Sequence, residues 1–285
     1  MDLWFEENLP QGWGLKVRVE RTLASEQTRF QRIDLFETAE MGRLLVIDGK
    51  VQLSELDEFV YHEMLAHVAL FTHPDPRRVM VVGGGDGGTI REVCAHSGVE
   101  KAYLVEIDER VIELSRQFLP RVACRLSDPR VEIAARDAAE YIRHARNLDA
   151  ILVDSSDPVG PSEVLFSGAF YADLKAALAP GGMIAMQAGS PFFYHEQIAG
   201  AVAGLREHFP VVRPLFIPVP TYPSGTWSLV VASLGEDPAA VSPEELARRL
   251  SARGVSTRYY TPQVHHGALA VPPFMADKLG ARQPV

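Results

Sequence analysis

Cysteine is scarce in this chain of 285 residues, which holds only Cys94 and Cys124. Two thiols in unrelated contexts cannot form a disulfide framework or a cysteine zinc site, so a reducing compartment is expected. Long apolar runs are missing too, and nothing approaches the roughly 20 residues that cross a bilayer. The opening segment MDLWFEENLPQGWG lacks the basic and apolar regions of a signal peptide. A cytoplasmic location without a membrane partner is therefore expected. Positive charge is in deficit: 28 Lys plus Arg against 37 Asp plus Glu leave a net charge of −9. Such a surface repels phosphate backbones, which argues against nucleic-acid partners and favours polycations. The remaining composition, 47% apolar and 23% charged, is that of a folded chain with a sizeable core. Its length suits two domains or one large one.

Residues 15–54 read as strands, with an Asp48-Gly49 hairpin signal inside GRLLVIDGKVQL. Residues 56–71 carry Phe59, Met64, Leu65 and Val68 at helical spacing, before His73-Pro74-Asp75-Pro76 breaks the chain. From residue 77 strand, loop and helix repeat: RRVMVV, AYLVEI, RVEIAA, LDAILV and GMIAMQ are short apolar runs, with helices near 167–178 and 194–208 among those between them. That alternation predicts an α/β fold, a doubly wound, largely parallel sheet covered on both faces. VVRPLFIPVP and TWSLVVAS look like a closing pair of antiparallel edge strands. The expected division is a small β-stranded unit, residues 1–55, and a catalytic unit, residues 56–285, bridged by helix 56–71.

Ligands of such sheets bind beyond the carboxyl ends of the strands. There the sequence puts Gly83-Gly84-Gly85-Asp86-Gly87-Gly88, then Glu106, Asp137 and Asp154-Ser155-Ser156-Asp157. Asp108 and Asp137 taken singly are explained as helix caps. That explanation fits Asp86 poorly, embedded as it is in glycines, and also the pair Asp154 and Asp157. The loop matches a dinucleotide fingerprint, and Glu106 stands where an acid would hold ribose hydroxyls. Asp86, however, would repel a pyrophosphate by several kcal/mol, roughly, in a low-dielectric site. A nucleoside without phosphates and with a cationic tail fits better, as in S-adenosyl compounds. His62 and His67, at i and i+5, diverge by about 140° around a helix, so no shared metal is expected. His265-His266 is read as a solvated loop pair. Ser155 and Ser156 are read as bonding to the loop backbone.

DEFVYHEM (57–64), VVGGGDGGTIREV (81–93), VEID (105–108), DSSDPVGPSEVLF (154–166), PTYPSGTW (220–227) and RYYTPQVHHGALAVP (258–272) together resemble the spermidine synthases, the polyamine aminopropyltransferases. The resemblance spans almost the whole chain. It implies a methyltransferase-like, Rossmann-like fold behind an N-terminal β-stranded domain, as a homodimer or homotetramer. It also implies transfer of an aminopropyl group from decarboxylated S-adenosylmethionine, a co-substrate rather than a cofactor, to putrescine. Gln31, Gln52, Glu106, Asp137, Ala138 and Pro161 match positions lining the donor cleft. Asp86 matches the acid at the donor's amine, and Asp154 matches the catalytic acid. Tyr61, His62, Asp157, Gln187 and Tyr222 match positions around the acceptor, with Glu7 and Trp13 as looser matches at its far end. Two departures stand out: Gln187-Ala188-Gly189-Ser190 where QGEC is frequent, and Ala138 where Gly is common. Agmatine, cadaverine and a triamine are alternative acceptors for the same transfer. The alternatives of other classes are an S-adenosylmethionine methyltransferase, an NAD-dependent oxidoreductase and a non-catalytic polyamine binder. Asp86 disfavours the first two; retention of Asp154 and Tyr61 disfavours the third.

Overall fold

A computed structural model describes residues 3–157 and 160–280, the side chains of residues 160 and 161 excepted. Five strands, β1 (Leu3–Asn8), β2 (Gly14–Gln27), β3 (Arg32–Thr38), β4 (Gly42–Ile47) and β5 (Lys50–Ser54), form an antiparallel sheet in sequence order. Asp48 and Gly49 both have positive φ, as a type I′ hairpin turn requires, so Ile47 pairs with Lys50. β1 lies outside the stretch read as strands. Its side chains are mostly exposed, so its pairing with β2 rests on backbone bonds more than on an apolar pattern.

α1 (Glu58–Thr72) leads to the second sheet. Its strands are β6 (Arg78–Gly83), β7 (Lys101–Glu106), β8 (Val131–Ala135), β9 (Leu148–Asp154), β10 (Leu178–Gly189), β11 (Val211–Pro218) and β12 (Thr226–Ser233), in the order β11-β12-β10-β9-β6-β7-β8. α2 (Gly88–Ala95), α3 (Glu109–Phe118), α4 (Ala138–Tyr141), α5 (Gly168–Ala177) and α6 (His195–Arg206) supply the crossovers. One expectation needs correcting. β12 is antiparallel to both neighbours but sits between β10 and β11, so of this pair only β11 is an edge strand. Its uninterrupted burial from Trp227 to Ser233 is what an interior strand demands.

The sheet separates two apolar layers. α1 and α2 fill one face; α5 and α6 fill the other. All of α1 is buried except Phe59, so its polar residues need partners. Glu63 accepts from the backbone N–H groups of Arg258, Tyr259 and Tyr260 at 2.7–2.8 Å, tying down the C-terminal segment. That segment adds α7 (Pro243–Arg253), α8 (Pro262–Ala268) and α9 (Pro273–Ala276). His265 is on α8 and fully buried, bonded to Tyr260 Oη at 2.9 Å and the Pro238 carbonyl at 3.0 Å. The solvated-loop reading is wrong for it because these two partners satisfy both ring nitrogens, and burial lowers its pKa to about 4. The first sheet docks on α3: Ile33, Leu35, Leu45 and Leu53 pack against Val111, Leu114, Leu119 and Val122. Thr28 bonds Asp108 at 2.7 Å, and Arg110 clasps Glu26 at 2.7 Å across the same seam.

Candidate active site

β6 and β9 are neighbours from which the chain departs in opposite directions, and a crevice opens beyond such a switch point. Gly83 ends β6 in register with Asp154 at the end of β9. Its φ is +75°, and a Cβ there would stand 2.3 Å from the Asp154 carbonyl oxygen, so only glycine lets the two strand ends approach. Gly88 opens α2, where a Cβ would meet the His62 ring at 2.2 Å. The loop is thus tight because the Asp154 backbone and the His62 ring press against it. Asp86 Oδ1 accepts from the Gly88 N–H at 2.8 Å within the loop, while the N-cap of α2 is Gly87, which offers no side-chain bond. Asp108 and Asp137 cap α3 and α4 as expected.

His62, Asp86 and Asp154 converge with ligand atoms within 4.8 Å of one another. A metal triad would need an imidazole lone pair. Here Nδ1 faces Glu58 at 2.6 Å and Nε2 faces Asp86 at 3.3 Å, so both nitrogens are used as donors. Burial alone would lower the His62 pKa, yet Asp86 and Glu58 together hold it well above its ordinary value. The ring is an imidazolium between two carboxylates. Arg91 braces Glu58 with two bonds of 2.9 Å, and burial notwithstanding, His62 and Arg91 pull the Glu58 pKa down to about 2. Asp154 Oδ1 accepts from Tyr61 Oη at 2.9 Å and Oδ2 from Thr89 Oγ1 at 2.6 Å. Burial, reinforced by the Asp86 charge, raises the Asp154 pKa. Asp86 moves the other way: burial opposes it, but His62 holds it ionised. Two adjacent acids pushed apart in this way are equipped for different tasks.

A cleft of about 1090 Å³ runs from these groups to the first sheet, lined by Phe30, Gln31, Gln52, Glu106, Asp137 and Ala138 among others. Among its described lining residues there is no Lys or Arg. Glu106 accepts from Asp108 N at 2.9 Å and Gly85 N at 3.2 Å, and burial lifts its pKa to about 7. Gln31 donates to Asp108 at 3.2 Å. Beyond Gln52, Tyr61, Ser155, Ser156 and Tyr222, which line both spaces, a second chamber of about 390 Å³ is closed by Glu7, Lys50, Asp157, Gln187 and Trp227. The rings of Tyr61 and Tyr222 stand edge to face, 5.8 Å apart, and Tyr222 Oη donates to the Gln52 carbonyl.

Residues 58–239 match the spermine/spermidine synthase domain, and residues 3–55 match the spermidine synthase tetramerisation domain. The chain is 46% identical to the polyamine aminopropyltransferase of Bacillus mycoides (strain KBAB4), over 97% of this chain and 99% of that protein. The chain belongs to the spermine/spermidine synthase family. Its fold is similar to that of a spermidine synthase in complex with the transition-state analogue AdoDATO: TM-score 0.94, 39% identity, 98% of this chain and 95% of that one. It is also similar to the Thermotoga maritima spermidine synthase, with TM-score 0.91 and 37% identity over 98% and 95% of the two chains.

The positions singled out by resemblance to this family fall in one connected space. Gln31, Gln52, Asp86, Glu106, Asp137, Ala138 and Asp154 line the cleft, with Tyr61, His62 and Tyr222. Asp157 and Gln187 line the second chamber. The Pro161 side chain lies outside the described residues. Glu7 closes the second chamber, whereas Trp13 packs on Phe193 and is absent from both linings. Two expectations change. Asp157 is already paired with Lys50 at 3.3 Å. Ser156 bonds Ser162 Oγ at 2.6 Å rather than backbone, and Ser155 Oγ is buried without a partner. Thr89, Glu58, Arg91 and Lys50 went unnoticed. Glu58 had a readable signal, lying four residues before His62 on one helix face.

Proposed function

We propose that this family member transfers the aminopropyl group of decarboxylated S-adenosylmethionine to putrescine, giving spermidine and 5′-methylthioadenosine. The observation that carries the reading is the pair of half-buried carboxylates, Asp86 and Asp154, at the head of a cleft whose described lining offers no Lys or Arg. A methionine carboxylate beside Asp86 would be repelled, which disfavours methyl transfer. A pyrophosphate would fare no better, which disfavours a dinucleotide.

In this reading Glu106 accepts from the donor's ribose hydroxyls, and Gln31, Gln52, Asp137, Ala138 and Pro161 complete the nucleoside site. Asp86 holds the donor's amine. Tyr61, His62, Asp157, Gln187 and Tyr222 surround the acceptor. A primary amine has a pKa near 10.4, so freeing its lone pair at neutral pH costs roughly 4–5 kcal/mol. Burial between Tyr61 and Tyr222 reduces that cost by disfavouring the ammonium form. Asp154 takes the proton, its basicity strengthened by burial and by Asp86. The amine nitrogen then bonds to the methylene next to sulfur. The C–S bond breaks, its electron pair stays on sulfur, and the sulfonium becomes a neutral thioether. The new secondary amine keeps its charge, and Asp154 releases its proton to water. No metal or cofactor enters this scheme, since the sulfonium is its own leaving group.

Residues 1–55 act as an assembly domain and 56–285 as the catalytic domain, with helix 56–71 as the bridge. The tetramerisation-domain match supports a homodimer or homotetramer. No helix among the described residues is long and apolar enough to cross a membrane, in keeping with action on small molecules in the cytoplasm. Calorimetric titration with decarboxylated and intact S-adenosylmethionine tests the donor assignment. The decarboxylated compound should bind far more tightly; equal affinities would sink it.

A further inference from the structure

The second chamber carries one charge that the transfer chemistry does not use, that of Lys50. Its two carboxylates are Glu7 and Asp157, and its one cation among the described lining residues is Lys50. Lys50 Nζ lies 3.3 Å from Asp157 Oδ2, although the two residues are 107 apart in the chain. Glu7 accepts from the Val51 N–H at 2.8 Å; burial raises its pKa, with Lys50 pulling it down and Asp157 pushing it up. Gln187 is 2% exposed, donates through Nε2 to the Ser156 carbonyl at 3.2 Å, and leaves Oε1 without a partner. The rest of the wall, including Tyr61, Tyr222, Pro223 and Trp227, is uncharged or aromatic.

Resting on the aminopropyltransferase reading, we propose that Lys50 determines acceptor specificity: its ammonium fills one of two cation positions in the far chamber and so confines acceptors to diamines. The charges decide it. A diamine with its reacting nitrogen at Asp154 brings one further ammonium into the chamber, where Gln187 Oε1 and the Glu7–Asp157 pair receive it. A linear triamine brings two. Lys50 already answers one of the two carboxylates, so the second ammonium meets a like charge instead of a partner. Lys50 therefore acts against longer amines by repulsion, which discriminates without tightening the hold on the diamine.

The test compares kcat/KM for putrescine and for spermidine, as the linear triamine, in the wild type, Lys50→Met and Lys50→Arg. Methionine keeps an unbranched side chain and removes only the charge. Lys50→Met should raise the triamine-to-diamine ratio by roughly tenfold or more, the worth of one charge-assisted contact. Lys50→Arg should hold the wild-type ratio. An unchanged ratio in Lys50→Met overturns the proposal, as does an equal rise in both variants, which would show that the charge is not the cause. Lys50 does not line the donor cleft, so methylthioadenosine affinity reports that each variant is folded; Lys50→Gln decides if the methionine variant is not. A wild type that aminopropylates no amine overturns the functional reading together with this one. An active wild type whose ratio is indifferent to residue 50 overturns this one alone.

Discussion

Glu58 does not itself line the cleft, yet its replacement should be among the most damaging single changes near it. It lies buried between two cations, His62 at 2.6 Å and Arg91 at 2.9 Å. Glu58→Gln keeps the volume and removes the charge. The Glu58 pKa falls from 4.5 to about 2, and at 1.36 kcal/mol per pH unit that difference is worth about 3 kcal/mol of stability at pH 7. Breaking a buried pair by removing one partner costs about 3–5 kcal/mol by an independent route, so the two agree. The sign follows from the depressed pKa. The contribution is fully present above pH 4.5 and fades as pH falls through about 2. Urea denaturation of both proteins should therefore show a gap of about 3 kcal/mol at pH 7, shrinking to about 1 kcal/mol at pH 3. A gap that is small at pH 7, or equally wide at both, would refute the charge clamp.

Three further outcomes are expected. Asp154→Asn should bind methylthioadenosine as the wild type does and lose about 100-fold or more in kcat, the range of a general base; near wild-type turnover would remove its assigned role. Glu106→Gln should weaken methylthioadenosine binding by about tenfold, one hydrogen bond to a charged acceptor, measured by calorimetry. Gly88→Ala would drive a Cβ into the His62 ring, so a stability loss of about 1–3 kcal/mol is expected in urea, with activity falling in parallel.

Much of the site was legible because its chemistry is local in the chain. The glycine loop, Glu106 and the Asp154–Asp157 segment each follow a strand, and strand ends of a doubly wound sheet share one rim. The hairpin at Asp48-Gly49 was equally local, as its positive φ values attest. What escaped notice depends on tertiary neighbours. The charge state of His62 is set by Asp86 and by Glu58, which Arg91 braces, and nothing in either segment announces that α1 and α2 pack together there. The burial of His265 depends on Pro238 and Tyr260, which its own dipeptide does not disclose. β12 slips between β10 and β11 because a sheet edge is chosen by packing, while a hairpin pattern specifies only that two strands are adjacent. Lys50 reads as a solvated residue after a turn until Asp157 comes alongside.

The central claim is the transfer itself. Incubating the protein with decarboxylated S-adenosylmethionine and a panel of amines, then identifying products by mass spectrometry, tests it most directly. Putrescine should give spermidine and methylthioadenosine in equal amounts, and Asp154→Asn should slow the reaction by about 100-fold or more. Absence of any aminopropylated amine, or a methylated amine formed from intact S-adenosylmethionine, would contradict the account.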